Sequence, residues 1–462
     1  MAIDDGGALG LYISIPFCRS KCTYCNFASG VYPAGDHARY VNRLIEDFRA
    51  ARDWAARMGA ELPRRADSVY LGGGTPTLLS PELLALLFAA MRAEFDLEPE
   101  AEITVECAPG QLAGETLEAL VQAGVNRVSL GVQSFIDREA AVSGRLHTRA
   151  AVERDLRRLR AAGIANLSVD LIAGLAGQTI ASWDESLAAL IGSGVPHASV
   201  YMLEVDEDSR LGREVLAHGA RYHAALVPAD DAIAQMYSTA IERLGAAGLD
   251  QYEISNFCRP GFASCHNLRY WQRRPYLGLG LDASSMLRAA RPPLNAENSD
   301  VERPGLVSGH DFSRAAGAAE STRALAPEAC CSGASGTIPP PSAAYPQGYV
   351  LRAATTGDLA AYLAGLAPAE TAWLPLQHQH EEAWFLGLRL NAGVDISALE
   401  REFGAATTAT ALEAVARLVE AGLLTSDGKT VRLTAQGQLL SNNVFQEFLG
   451  LESEPALDTD GG

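Results

Sequence analysis

The stretch Leu11–Phe27 reads LYISIPFCRSKCTYCNF. Leu11 to Ile15 form a short β-prone run that stops at Pro16, whose missing N–H suits the end of a strand. Three cysteines follow at once, Cys18, Cys22 and Cys25, in a C-x3-C-x2-C pattern. A loop at the carboxyl end of a strand can wrap three such thiolates around one face of a metal centre. In a reducing compartment, clustered thiols signal metal binding or catalysis more often than disulfides. A structural zinc site wants four ligands, usually with a second C-x-x-C pair, and no such pair follows here. Three thiolates on a four-iron cluster leave one iron open to a substrate or cofactor. A zinc loop with a distant fourth ligand is the alternative.

Outward from this loop, short β-rich runs alternate with helical stretches. Strands are expected at 11–15, 68–71, 102–106, 127–130, 167–172 and 198–203, and helices at 40–58, 81–94, 114–123, 150–162 and 183–191. Gly124 and Gly163 follow helices directly, as C-terminal caps do. This alternation implies an α/β fold of repeated βαβ units on a parallel sheet, open or curled toward a barrel. Ligands of such sheets sit at the carboxyl ends of the strands, where the cysteine loop falls.

Four regions are expected. Residues 1–290 form the core, 291–345 a Pro/Ala/Ser-rich and disordered insertion, 346–380 a connection, and 381–462 a C-terminal domain. In that last region, helices at 381–390 and 412–421, a hairpin through Ser426–Gly428 and a final helix at 435–449 resemble a winged helix. Residues 381–462 carry 5 basic and 13 acidic side chains, which disfavours DNA and favours a packing or docking role.

Composition sets outer limits. The 462 residues allow two to four domains; 48% hydrophobic and 20% charged residues exclude wholesale disorder. A formal charge of −19 excludes nucleic acid as the main partner, because phosphate neutralisation needs clustered Lys and Arg. No apolar run approaches the roughly 20 residues that cross a bilayer. The start MAIDDGGALG lacks the features of a signal peptide, so a cytoplasmic protein is expected.

The cysteine loop resembles that of radical S-adenosylmethionine enzymes, within the oxygen-independent coproporphyrinogen III oxidase-like group, and most nearly its HemW haem-chaperone branch. The motifs LGGGTPTLLS, ITVECAPG, VNRVSLGVQSF, GRLHT, DLIAGLAGQT, QYEISNF, CHNLRYW and EEAWFLGLRLNAG fall in the family's order. The resemblance implies a partial (β/α) barrel of the radical S-adenosylmethionine type with the winged-helix-like domain behind it. It also implies that Cys18, Cys22 and Cys25 hold a four-iron four-sulfur cluster whose fourth iron is chelated by S-adenosylmethionine. Gly73, Gly74 and Thr75 then meet the methionine end of that cofactor, since glycines permit close approach and exposed N–H groups bind its polar atoms. Glu106, Gln133, Arg145 and Asp170 match further cofactor positions. Arg145 suits a carboxylate through its planar fork, and Asp170 suits ribose hydroxyls. Tyr12 and Tyr24 match contact positions of the family.

Two features select the branch. The coproporphyrinogen-oxidising enzymes carry a fourth cysteine two residues after the third, where this chain has Phe27. The run Cys265–Trp271 matches the H-N-x-x-Y-W signature of the chaperone branch, so His266 or Cys265 would ligate haem iron while Tyr270 and Trp271 flank the macrocycle. The implied function is a haem chaperone that delivers haem to respiratory proteins, with a homodimer left open. The competing reading is a radical oxidase that decarboxylates coproporphyrinogen propionates. A zinc-stabilised binding protein is disfavoured by the glycine loop and the motifs after it. Two departures stand out: Ser14 replaces the usual histidine before the cluster loop, and 280–285 reads GLDASS where the family has G-x-G-A-H-S.

Overall fold

The computed structural model describes residues 7–290, 348–365 and 370–450. A thirteen-stranded sheet dominates it. The strands are β1 (Leu9–Ile15), β2 (Ala60–Glu61), β3 (Arg65–Gly73), β4 (Asp96–Cys107), β5 (Arg127–Gln133), β6 (Asn166–Ala173), β7 (His197–Met202), β8 (Asp250–Glu253), β9 (Asn256–Cys258), β10 (Tyr276–Leu279), β11 (Ser284–Ala289), β12 (Val350–Ala354) and β13 (Glu370–Leu374). Their order is β13-β12-β11-β10-β1-β3-β4-β5-β6-β7-β9-β8, with β2 paired to β11. From β10 through β7 every pairing is parallel; β9 and β8 on one flank and β11 to β13 on the other are antiparallel. The path does not close, so the expected partial barrel is the observed one.

Parallel strands covered on both sides usually read as continuous apolar runs. Here the central strands alternate instead. Val69 and Leu71, Ile103 and Val105, Val128 and Leu130, Val169 and Leu171, and Ala198 and Val200 join one large core under the helices. Their neighbours, Tyr70, Thr104, Glu106, Arg127, Ser129, Ser168, Asp170, His197, Ser199 and Tyr201, line a small polar cavity on the other side. A polar lining on the inner face marks that side for a ligand rather than for packing.

The helices are set by local chemistry. Pro81–Glu94 begins at Ser80, whose Oγ accepts from the Leu83 N–H, with proline in the first turn. Ala34–Met58 buries Tyr40, Val41, Leu44, Phe48, Ala51 and Ala55 along one stripe and ends at left-handed Gly59. It starts six residues before its expected boundary.

At the C-terminal end, β14 (Val394–Asp395), β15 (Leu424–Ser426) and β16 (Thr430–Leu433) form a small sheet ordered β14-β16-β15. Helices Leu376–Leu388, Ile396–Phe403 and Ala405–Glu420 pack with it around Trp384, Val415, Val431 and Phe448. Helix Ile396–Phe403 was not expected; its start is fixed by Asp395, whose side chain accepts from the Ala398 N–H. The expected final helix 435–449 breaks at Leu440 into Ala435–Leu439 and Ser441–Gln446. The segment expected as a connection supplies β12 and β13 to the main sheet. The expected insertion at 291–345 lies outside the described residues.

Candidate functional site

β1 carries Cys18 to the carboxyl edge of the sheet. The loop is closed at its base by Cys18 N–H to Gly30 carbonyl (2.8 Å) and Gly30 N–H to Pro16 carbonyl (2.9 Å). Each thiol has a polar neighbour. Thr75 Oγ1 lies 3.9 Å from Cys18 Sγ, Arg145 Nη1 donates to Cys22 Sγ at 3.6 Å, and Ser29 Oγ is 3.8 Å from Cys25 Sγ. Burial pushes the Cys18 and Cys25 thiols up, against hydrogen bonds from Ser29 and Thr75 at Cys18 and the Lys21 charge at Cys25. Among the described residues, no three His, Cys, Asp or Glu side chains gather as a single-ion site. Three thiols on one loop at the carboxyl end of a strand suit a multinuclear cluster, whose ligands go to different irons.

The glycine loop works differently from its expectation. The Gly74 N–H donates to the Ile15 carbonyl (2.9 Å) and the Thr75 N–H to the Phe17 carbonyl (2.7 Å), so these two donors brace the cluster loop rather than stand open to a ligand. Gly74 must be glycine, because a Cβ there would sit 2.6 Å from the Ile15 carbonyl oxygen. Gly73 has φ of 91°, and its Cβ would meet Ser14 Oγ at 2.8 Å.

The other expected cofactor residues fall on adjacent strands. Glu106 near the end of β4 accepts from Tyr70 Oη at 2.9 Å. Asp170 on β6 accepts from Ser129 Oγ at 3.0 and 3.1 Å and from Ser168 Oγ at 3.4 Å. Burial pushes the Asp170 carboxyl up, and hydrogen bonds from Ser199, Ser129 and Ser168 oppose this. Gln133, at a register shift against β6, holds φ of 68°, and its buried Oε1 has no partner. Arg145 donates to Cys22 and to the Gly131 carbonyl, while its Nε is buried without a partner. Burial alone would lower its pKa, but Tyr24 and Cys22 raise it, so the net shift is upward and the group stays a cation. Tyr24 packs against the small apolar cluster formed by Ile172, Leu175, Leu203, Leu211 and Ala224; Tyr12 stacks 6.1 Å from Tyr70. An orphaned acceptor in a left-handed backbone and an orphaned guanidinium nitrogen beside the cysteine loop fit a zwitterionic cofactor.

The run Cys265–Trp271 is a helix plugging the inner face. Ser264 caps it, accepting from the Asn267 N–H. His266 has no exposed surface: Nδ1 lies 3.1 Å from Ser68 Oγ and Nε2 2.9 Å from Tyr270 Oη. Burial, then the Arg269 charge, lowers its pKa to about 3. Both ring nitrogens are therefore taken in this conformation. Cys265, one residue earlier, is exposed. Tyr270 meets Tyr276 edge-on at 4.7 Å, and Trp271 lies under the Arg389 guanidinium at 4.2 Å, inside the C-terminal core.

Sequence reading missed what anchors this helix. Arg269 donates to the carbonyls of Ala8 and Pro275 (both 2.9 Å) and pairs with Asp67; Gly10 leaves the room for it. Beneath, buried Arg127 pairs with Glu102 at 3.3 Å, and Glu102 accepts from Ser264 and from the His266 N–H. The signal for the inner face was the spacing of two between Thr104 and Glu106, Arg127 and Ser129, and Ser168 and Asp170.

Comparison with known proteins agrees with this geometry. Residues 12–190 match the family model of the radical SAM superfamily, and residues 374–440 that of the HemN C-terminal domain. A Lactococcus lactis protein named heme chaperone HemW is 30% identical over 438 residues, 95% of this chain and 96% of its own length. A Bacillus subtilis protein of the same name is 30% identical over 448 residues, 95% of this chain and 98% of its own. The solved coproporphyrinogen III oxidase HemN of Escherichia coli, a radical SAM enzyme, superposes with a TM-score of 0.71 at 20% identity, covering 96% of this chain and 90% of that one. That last likeness is one of fold. Similarity along nearly the full length of both HemW proteins shows that this chain belongs to the HemW family of the radical SAM superfamily.

Proposed function

We propose that the protein is a cytosolic haem chaperone that holds a four-iron four-sulfur cluster and S-adenosylmethionine and passes haem to respiratory proteins. The observation that carries this reading is the near-full-length similarity to two proteins named heme chaperone. Cys18, Cys22 and Cys25 would hold the cluster. Glu106, Gln133, Arg145 and Asp170 would bind the cofactor, with Arg145 giving up the Gly131 carbonyl or Cys22 to take its carboxylate. When bound, this pair of groups supplies one-electron chemistry beside the inner face. For the haem iron, Cys265 is the ligand within reach without breaking a hydrogen bond; His266 serves only if Tyr270 or Ser68 releases it.

The fold shared with HemN favours coproporphyrinogen oxidation as the second reading. Against it stands Phe27, 48% exposed, where the oxidising enzymes carry a fourth cysteine. Anaerobically reconstituted protein given S-adenosylmethionine, a reductant and coproporphyrinogen should consume no coproporphyrinogen. Sustained formation of protoporphyrinogen would replace the chaperone reading by the oxidase one.

A further inference from the structure

Between β7 and the helix Asp230–Ala246 the chain returns across the carboxyl ends of the strands, through a turn at 206–209 and the helix Arg210–Leu216. This segment is seated on the cysteine loop. Asn26 Nδ2 donates to Asp206 Oδ2 at 2.7 Å, the Leu211 N–H donates to the Thr23 carbonyl at 2.8 Å, and the Arg210 guanidinium donates to the Lys21 carbonyl. Tyr24 packs against a small apolar cluster to which this segment contributes Leu203 and Leu211. Residues 21, 23, 24 and 26 each adjoin Cys22 or Cys25. From the other side, the Thr23 N–H donates to the Ser143 carbonyl at 3.0 Å, and Gly144 passes so close that a Cβ there would stand 3.3 Å from Cys22 Cα.

Asp206 is itself fixed before it meets Asn26. Its Oδ1 accepts from the Asp208 N–H at 2.8 Å, and its carbonyl accepts from Ser209 Oγ at 3.0 Å. Gly212 lies against its backbone with no room for a side chain. Arg210 is held over the Tyr222 ring at 5.2 Å.

A loop that must present three thiolates to a rigid cluster loses conformational freedom on binding, and prior ordering removes that cost from the binding step. We propose that Asp206 is a positioning residue for the cluster, fixing the approach of Cys25 through Asn26. This rests on the cluster reading of the cysteine loop.

The test compares anaerobically reconstituted wild type with Asp206→Ala, Asn26→Ala, Asn26→Asp and the reciprocal pair Asn26→Asp/Asp206→Asn. A ferrous chelator strips the cluster while visible absorption is followed, and the reduced proteins are examined by electron paramagnetic resonance. The single variants should lose cluster about tenfold faster, the equivalent of one hydrogen bond of about 1.4 kcal/mol, with altered g-values. The reciprocal pair restores an amide-to-carboxylate bond in the reverse sense and should recover both readouts. Asn26→Ala breaks the same bond from the loop side, so a poorly folding Asp206→Ala does not block the result. Single variants with wild-type loss rates and spectra, or a reciprocal pair that fails to recover, overturn the positioning role alone. Wild type that takes up no cluster overturns the cluster reading and this inference with it.

Discussion

At the scale of the residue, two side chains hold positions that stability alone does not explain. Gln133 sits at φ of 68° with a buried, unpartnered Oε1. Glycine would adopt that backbone without strain, so Gln133→Gly should stabilise the cofactor-free protein by about 1 kcal/mol. It should also weaken S-adenosylmethionine binding by about 1 kcal/mol, read by calorimetry, because an acceptor is lost. Raised stability with unchanged affinity would remove Gln133 from the cofactor site. His266 is the second case. Burial lowers its pKa from 6.5 to about 3, so between those values the unfolded chain binds a proton that the native state refuses. Stability from this group is therefore complete above about pH 6.5 and declines as pH falls toward 3. His266→Asn should narrow the difference between urea midpoints at pH 7 and pH 5. An equal difference in both proteins would mean that His266 is not the neutral, buried group seen here. The cysteine loop stands out in the sequence because its three thiols fall within eight residues. The state of His266 does not, since its partners Ser68 and Tyr270 include one nearly two hundred residues away.

At the scale of the element, the C-terminal domain is fastened to the barrel by the turn between β8 and β9. The Ile254 N–H donates to the Arg389 carbonyl at 3.1 Å and the Asn391 N–H to the Tyr252 carbonyl at 3.0 Å. Arg389 also approaches the fully buried Glu253 at 3.6 Å while covering Trp271. Removing one partner of a buried pair leaves an uncompensated charge, so Arg389→Ala should cost about 3–5 kcal/mol in urea unfolding. Adding Glu253→Gln should recover part of that loss. A cost below about 1 kcal/mol would show that the pair does not fasten the two domains. This joint was invisible in sequence: QYEISNF and FLGLRLNAG carry its residues, but nothing in either motif states that they meet. Helix Pro81–Glu94, by contrast, was legible to the residue because Ser80 and Pro81 mark its start locally.

At the scale of the whole molecule, the alternation of strands and helices foretold the open parallel sheet, whereas its antiparallel flanks were not foreseen. β12 and β13 come from a short segment whose role is decided by pairing with β11, a long-range contact that local pattern does not encode. The inner face of the sheet is polar from β3 to β7 and is closed below by the Cys265–Trp271 helix. That cavity is small and mostly polar-lined, so the haem plane is expected outside it, on the exposed side of that helix at Cys265. The most direct measurement is a visible titration of the anaerobically reconstituted protein with haem. The account predicts saturation at one haem per chain, a Soret band shifted or lost in Cys265→Ala, and an iron–sulfur absorption unchanged by that substitution. No saturable haem binding by the wild type would contradict it.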